Sequence, residues 1–350
     1  MNLDLDFLDA LLAAPGPSSF ESRPANVFRK QAEAYGLATR QDVYGSVFAI
    51  AGEGRSPRLL LSGHIDEIGL LIQHIDDHGF AWFDTVGGWD SQQLVGQRVR
   101  IVGRNGDTVG VIGKKPIHLM TPEDRRKVSK VTDLFIDIGA RDKDDALEAI
   151  APGDVAVIEQ PLLHLRNGRI ASKAIDDRIG AYIALEVARQ VGNDAGEVIA
   201  SATVQEEIGG VGASSAAYGL EPDVAIAIDV THATDVPGVQ VREEGEHPLG
   251  SGPELSIGSY VHRGVFELLR QTAQEENIPF TIGTAPRRTA TDADHLARAR
   301  AGVRSAVVSI PNRYMHSPSE MVDPEDVRNV VALLVAFARR LPDAHPITQP

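Results

Sequence analysis

Apolar residues along the chain follow two rhythms. Continuous runs such as "RLLLSG" (Arg58 to Gly63), "EVIASATV" (Glu197 to Val204), "DVAIAIDV" (Asp223 to Val230) and "AVVSIP" (Ala306 to Pro311) read as strands buried on both faces. Between them, "IGAYIALEVARQV" (Ile179 to Val191), "VGASSAAYGL" (Val211 to Leu220) and "GVFELLRQTAQEE" (Gly264 to Glu276) repeat at helical spacing. A closing helix is expected over "PEDVRNVVALLVAFARRL" (Pro324 to Leu341), with Asp323 as its N-cap. "PFTIG" (Pro279 to Gly283) reads as a short strand, and "MNLDLDFLDALLAAPGP" as a short helix stopped by Pro15. Buried strands alternating with helices predict an α/β sheet covered on both faces.

The middle of the chain breaks this rhythm. From about Gln73 to Arg166 helical spacing fades and short alternating strands take over, as in "QRVRIVG" and "TVGVIG" around the turn "RNGD" (Arg104 to Asp107). "DLFIDIGA" and "DVAVIEQPLL" continue the pattern. The expected organisation is one α/β domain built from residues 1–72 and 167–350, interrupted by a small all-β domain over 73–166. The Pro-containing tail after Leu341 is expected to be loose.

Composition narrows the function. The chain has 350 residues, 43% apolar and 24% charged, as in ordinary globular proteins. A formal net charge of -15 argues against a nucleic-acid backbone or an anionic membrane surface as partner. With no cysteine there is no disulfide framework, no thiolate nucleophile and no sulfur metal site. The first residues are acidic where a signal peptide is basic, and the longest apolar run, Val330 to Ala338, is too short to span a bilayer. This reads as a cytoplasmic chain.

In open α/β sheets ligands bind beyond the carboxyl ends of the strands. The residues just past each expected strand are therefore the informative ones. "HIDEIG" brings His64 and Asp66, "QEEIGG" brings Glu206 and Glu207, "DVAIAID" ends on Asp229, and "NRYM" leads to His316. "KAIDDR" sets Asp176 and Asp177 before a helix. Taken singly, each is commonplace. A histidine after a strand is usually a surface residue, paired aspartates before a helix serve as caps, and paired glutamates in a loop are solvated. Gathered at one sheet edge, these residues form a ligand set suited to zinc, cobalt or manganese. Five such ligands fit two ions sharing one bridging carboxylate, a site that clamps water and a substrate carbonyl together. Gly209, Gly210 and Gly212 read as a strand-to-helix turn and not as a phosphate cradle, since no lysine comes after them.

The stretches "PGPSSFES", "SGHIDEIGLLI", "GGWDSQQLVGQRV", "SKAIDDRIGAY", "VQEEIGGVGA", "AIDVTH", "TATDA" and "RYMHSPSEMV" run in order from near Pro15 to Val322. In them the chain resembles the di-metal aminopeptidases of the glutamyl aminopeptidase and "cellulase M" group, which assemble as tetrahedral dodecamers. The resemblance implies a mixed sheet with helices on both faces, like that of di-zinc exopeptidases, and an inserted β-barrel-like domain for dimer contacts. It implies that His64 and Asp229 hold one divalent ion, Glu207 and His316 the other, and that Asp176 bridges them. Asp177 is then the neighbouring, non-bridging acid, Glu206 the general base, and Asp66 an acid supporting His64. Short peptides would be the substrates and a homo-dodecamer built from dimers the assembly. The chain departs from the family where Ser18-Ser19 and "TATDA" (Thr289 to Ala293) stand in place of Ser-Gly and "GGTDA", which touches substrate choice and not the metals.

Three other readings use the same residues. Paired carboxylates also serve glycosidases of the endoglucanase type, although these ordinarily need no metal and favour aromatic platforms, and only 5% of this chain is aromatic. A different di-metal exopeptidase or deacylase shares the ligand types and the fold. An inactive scaffold would keep the fold without the full ligand set. The remaining histidines, among them His232 and His295, are read as structural or surface residues.

Overall fold

The computed structural model describes residues 3–104 and 106–347. The chain begins with α1 (Leu5–Ala13), α2 (Ser22–Ala34), β1 (Ala38–Gln41), β2 (Val47–Ala51) and β3 (Arg58–His64). Next come β4 (Gly69–Ile75), β5 (Ala81–Val86), α3 (Ser91–Leu94), β6 (Arg98–Gly103), β7 (Gly106–Gly113), β8 (Phe135–Asp137), α4 (Lys143–Ala149) and β9 (Val155–Ile158). The chain then returns through β10 (Leu163–His164), β11 (Ile170–Ser172), α5 (Ile175–Val191), β12 (Glu197–Thr203), α6 (Val211–Leu220) and β13 (Val224–His232). It ends with α7 (Val241–Glu244), β14 (Glu254–Gly258), α8 (Arg263–Glu275), β15 (Thr281–Ala285), α9 (Ala293–Leu296), β16 (Arg304–Asn312), β17 (Glu320–Val322) and α10 (Pro324–Ala344).

The main sheet has eight strands in the order β1-β2-β12-β3-β13-β16-β14-β15. Its centre, β12-β3-β13-β16, is parallel, while β2-β12 and β16-β14 pair antiparallel, so the sheet is mixed as expected. Both faces are covered. Along β13, Val224, Ile226 and Ile228 enter a core shared with α1, α2, α5, α8 and α10. Ala225 and Ala227 alternate to the opposite core, shared with α6 and α9. A Cβ on Gly63 would sit 2.2 Å from the Ala181 backbone nitrogen, so glycine is what lets α5 lie directly on β3.

β4, β5, β8, β7, β6 and β9 close into a six-stranded barrel with its own core around Leu70, Ile101, Ile136 and Ala156. This bears out the expected β-barrel-like insert, although the insert is not purely β. The barrel region also carries α4, capped by Asp142, and three 3-10 turns. Its first strand begins at Gly69. Within the expected turn at Arg104 to Asp107, Asn105 lies outside the described residues. The chain's end is more ordered than expected. α10 runs to Ala344 and Ile347 is buried, while residues 348–350 lie outside the description. Among the described residues no helix is long and apolar enough to cross a membrane.

A buried ion cluster fastens the N-terminal segment to the carboxyl edge of the parallel strands. Arg178, at 0% exposure, donates to the carbonyls of Leu11, Leu12, Ala14 and Ile65 and pairs with Glu67 at 3.0 Å. Lys173 reaches the other oxygen of Glu67 at 2.7 Å. Removing one member of such a pair strands the rest in low dielectric. Arg178→Met is expected to destabilise the fold by about 3–5 kcal/mol, read as a fall in the urea midpoint. An unchanged midpoint would show that the cluster adds nothing to stability.

Candidate metal centre

Strand register assembles the site. β3 and β12 run parallel with Gly63 opposite Ala202 and His64 opposite Thr203, so both strands end level. Asp229 lies in β13, beside β3 on its other side. The chain leaves β12 at Thr203, and Gln205 takes a left-handed φ of 59°. The alternation of the strand is thereby broken, and Glu206 and Glu207 both line one cavity. Gly210 opens α6 at φ 65°, where a Cβ would strike the His295 ring at 2.2 Å. Asp176 and Asp177 head α5 but are not themselves helical; regular helix starts after them. His316 lies beyond the end of β16, at φ 58°.

The structure brings His64, Asp176, Glu206, Glu207, Asp229 and His316 to the wall of a cavity of about 590 Å³. Asp176 lies between the two histidines: its Oδ1 is 3.1 Å from His64 Nε2 and its Oδ2 is 3.5 Å from His316 Nε2. Glu207 Oε2 approaches the same His316 nitrogen at 3.3 Å. The ring nitrogens turned away from the cavity meet backbone carbonyls. His64 Nδ1 is 3.3 Å from the Asp66 carbonyl and His316 Nδ1 is 2.8 Å from that of Gly88. This arrangement orients imidazoles that offer Nε2 to a metal. Asp66 is fully buried and lies outside the cavity wall. It accepts from Ser18 Oγ (2.6 Å), Glu206 N (3.1 Å) and Glu207 N (3.2 Å), and stands 3.4 Å from His64 Nδ1.

The electrostatics are those of crowded buried acid. Burial, together with neighbouring carboxylates, drives Asp177, Asp229 and Glu320 well above the usual carboxylate range. Burial pushes Glu206 up to about 9 and also raises Glu207. Hydrogen bonds to Asp176 and Glu207 raise His316 to about 11. Burial opposes charge on His64, yet Asp176 and Asp66 hold its pKa well above the imidazole norm. Protonated imidazoles thus supply positive charge that the carboxylates demand, a demand two divalent ions would meet more fully. Two groupings have ligand atoms close enough to share an ion: His64 with Asp176 and Glu207, and His64 with Asp177 and Asp229. The donor set, nitrogen and carboxylate oxygen only, fits zinc, cobalt or manganese.

The sequence reading missed several residues. Glu320 is buried and accepts from Asp176 N (2.8 Å) and His316 N (2.9 Å), tying two ligand-bearing segments together. Asp292 is buried behind the site, accepting from Ser62 Oγ (2.7 Å) and Thr203 Oγ1 (2.6 Å). His232 and His295, read as structural or surface residues, line the cavity with Arg288 and Asp294. The carboxylate inside "RYMHSPSEMV" is the signal that could have led to Glu320.

Comparison with known proteins agrees with this geometry. Over 349 residues the chain is 31% identical to the lysyl aminopeptidase of Pyrococcus furiosus, covering 97% of this chain and 98% of that one. An aminopeptidase of the archaeon Desulfurococcus kamchatkensis superposes with a TM-score of 0.90 at 36% identity, covering 98% and 97% of the two chains. The TET1 peptidase of Pyrococcus horikoshii, which can assemble into a tetrahedron or a large octahedral shell, does so with a TM-score of 0.85 at 31% identity, covering 96% and 99%. The pattern of the M42 glutamyl aminopeptidase family matches residues 45–333. A mixed sheet with a barrel insert, a cation-demanding ligand cluster and this match together mean that the chain belongs to the M42 glutamyl aminopeptidase family and is a metallo-aminopeptidase.

Proposed function

We propose that this enzyme removes N-terminal residues from short peptides, using Asp176 as the bridge between two divalent ions. His64 and Asp229 complete one site, Glu207 and His316 the other, and zinc or cobalt, with manganese as a third choice, suits the donors. The observation that carries this reading is the placement of Asp176, with one oxygen toward each histidine. Asp177 is kept out of the ligand set in this reading. Its oxygens already accept from His64 N (3.1 Å) and Gly180 N (3.2 Å), so it fixes the backbone under His64.

When bound, the ions would supply Lewis acidity toward the scissile carbonyl and a lowered pKa for water. The protein does the rest. Acids at the deep end of the cavity attract a free α-ammonium group, which restricts cleavage to chain ends. Glu206 is the general base. Its carboxylate comes no nearer than 4.0 Å to His64 Nε2 and has no hydrogen-bond partner among the described residues. Divalent charge beside it would lower its raised pKa toward the working range. Glu206 takes the proton from the attacking water as the C–O bond forms and delivers it to the leaving nitrogen as the C–N bond breaks. Asp66 holds the backbone of both glutamates and steadies His64.

Self-association is the second part of the proposal. Val109 (70% exposed), Val111, Ile117, Leu119 and Val128 lie close together in the barrel's sequence and are all exposed, as expected of residues meant for a partner surface. We infer a dimer through the barrel, and a dodecamer built from such dimers.

Three measurements test this. Glu206→Gln should keep both ions by elemental analysis and lose about 10²–10⁴-fold in kcat; near wild-type turnover would remove Glu206 from the role of base. Glu207→Ala should instead bind less metal after identical purification, and full occupancy would exclude Glu207 as a ligand. Light scattering should give twelve chain masses, and a monomer mass would sink the assembly.

A further inference from the structure

Arg288 is the one arginine or lysine among the residues lining the catalytic cavity. It has no ion-pair or hydrogen-bond partner among the described residues, although the cavity wall also carries Asp294. The acid is occupied elsewhere. Asp294 Oδ1 accepts from Thr289 N (2.8 Å) and Thr289 Oγ1 (2.6 Å), and Oδ2 from Ala290 N (3.2 Å). Thr289 Oγ1 also lies 2.9 Å from Thr291 Oγ1. The buried Asp294 therefore braces the loop that carries Arg288 without neutralising the guanidinium. Arg288 is exposed, whereas His64, Asp176 and Asp229 are buried. Its exposure sets it at the solvent-facing part of the cavity wall, and it belongs to neither ligand grouping.

Resting on the aminopeptidase reading above, we propose that Arg288 binds a substrate carboxylate beyond the scissile amide. The source is either the C terminus of a peptide short enough to end in the cavity or an acidic side chain at a later position. The first residue of the substrate is fixed at the deep end by its ammonium group and carbonyl, so the rest of the peptide leads outward to the guanidinium. A cavity of about 590 Å³ is of the size that encloses a small ligand and not a folded chain. An unpaired guanidinium is the side chain best shaped to grip a carboxylate with two parallel hydrogen bonds. Binding energy gathered at that remote end holds the scissile amide against Glu206. Arg287, its neighbour, is equally exposed but does not line the cavity, and so serves as the control.

The test uses the full-length protein reloaded with cobalt and four peptides: Leu-Ala-Ala as free acid, Leu-Ala-Ala amide, Leu-Asp-Ala amide and Glu-Ala-Ala amide. The wild type should favour the free acid, the aspartyl peptide or both over Leu-Ala-Ala amide in kcat/KM. Arg288→Met should reduce that preference at least tenfold, through KM more than kcat, while Arg287→Met keeps it. Which of the two preferences collapses identifies the source of the carboxylate. A preference that survives Arg288→Met overturns the proposal, as does a wild type with no preference, or an effect confined to the N-terminal glutamyl peptide. If cobalt-loaded wild type cleaves none of the four, the aminopeptidase reading itself fails; cleavage without the preference refutes Arg288 alone.

Discussion

Buried negative charge is the constraint around which this molecule is organised. Asp176, Asp177, Asp229, Asp292 and Glu320 are all at 6% exposure or less, and Glu206 and Glu207 open into the same cavity. Each carboxylate removed from water costs several kcal/mol unless it is paired. The buried cations nearest in sequence to the aspartate pair, Lys173 and Arg178, are both committed to Glu67. What is left at the sheet edge is a surplus of acid that two imidazoles relieve only by taking up protons. A fold that concentrates acid in this way would gain stability from bound cations.

That crowding is tolerable because three of the buried acids, Asp66, Glu320 and Asp177, have both oxygens engaged by backbone donors. Asp66 holds the nitrogens of Glu206 and Glu207. Glu320 holds those of Asp176 and His316. Asp177 holds that of His64. The ligand-bearing segments are thus fastened at their backbones by a second set of carboxylates. Hydrogen bonds of this type stabilise the charged form of an acid and also remove the freedom of the loops. The same groups that add to the charge problem supply the rigidity a two-ion site needs.

Much of this was legible in the sequence because the strands are buried on both faces. Continuous apolar runs located β3, β12, β13 and β16 to within two residues, and the chemistry lay near or just past their carboxyl ends. α6 was read residue for residue, since glycines mark its start and the preceding strand is unmistakable. Elements with sparse apolar positions were not legible. In α2 only Pro24, Ala25, Phe28 and Ala32 are buried along thirteen residues, and β1 is a largely exposed edge strand. The barrel was implied by the resemblance and is borne out, but its closure was not visible in the strand pattern itself, because it rests on Leu70 meeting Ala156, far apart in the chain. Glu320 was hidden for a related reason: it touches no metal position, and acts on Asp176 across 144 residues of sequence.

The two departures from the family pattern fit the same logic. Ser19 and Ala290, which stand where the resembling family often has glycine, both keep a left-handed backbone, with φ of 74° and 57°. For residues with a Cβ that conformation costs about 1–2 kcal/mol. In both places a carboxylate receives the strained residue's own nitrogen: Glu21 binds Ser19 N at 2.7 Å and Asp294 binds Ala290 N at 3.2 Å. The chain has therefore kept a glycine-like path without glycine, giving up flexibility and relying on acids to hold the turn. Ala290 places a methyl group on the cavity wall beside Arg288. The departure thus leaves the metal site alone and changes the surface that a peptide meets on its way to it.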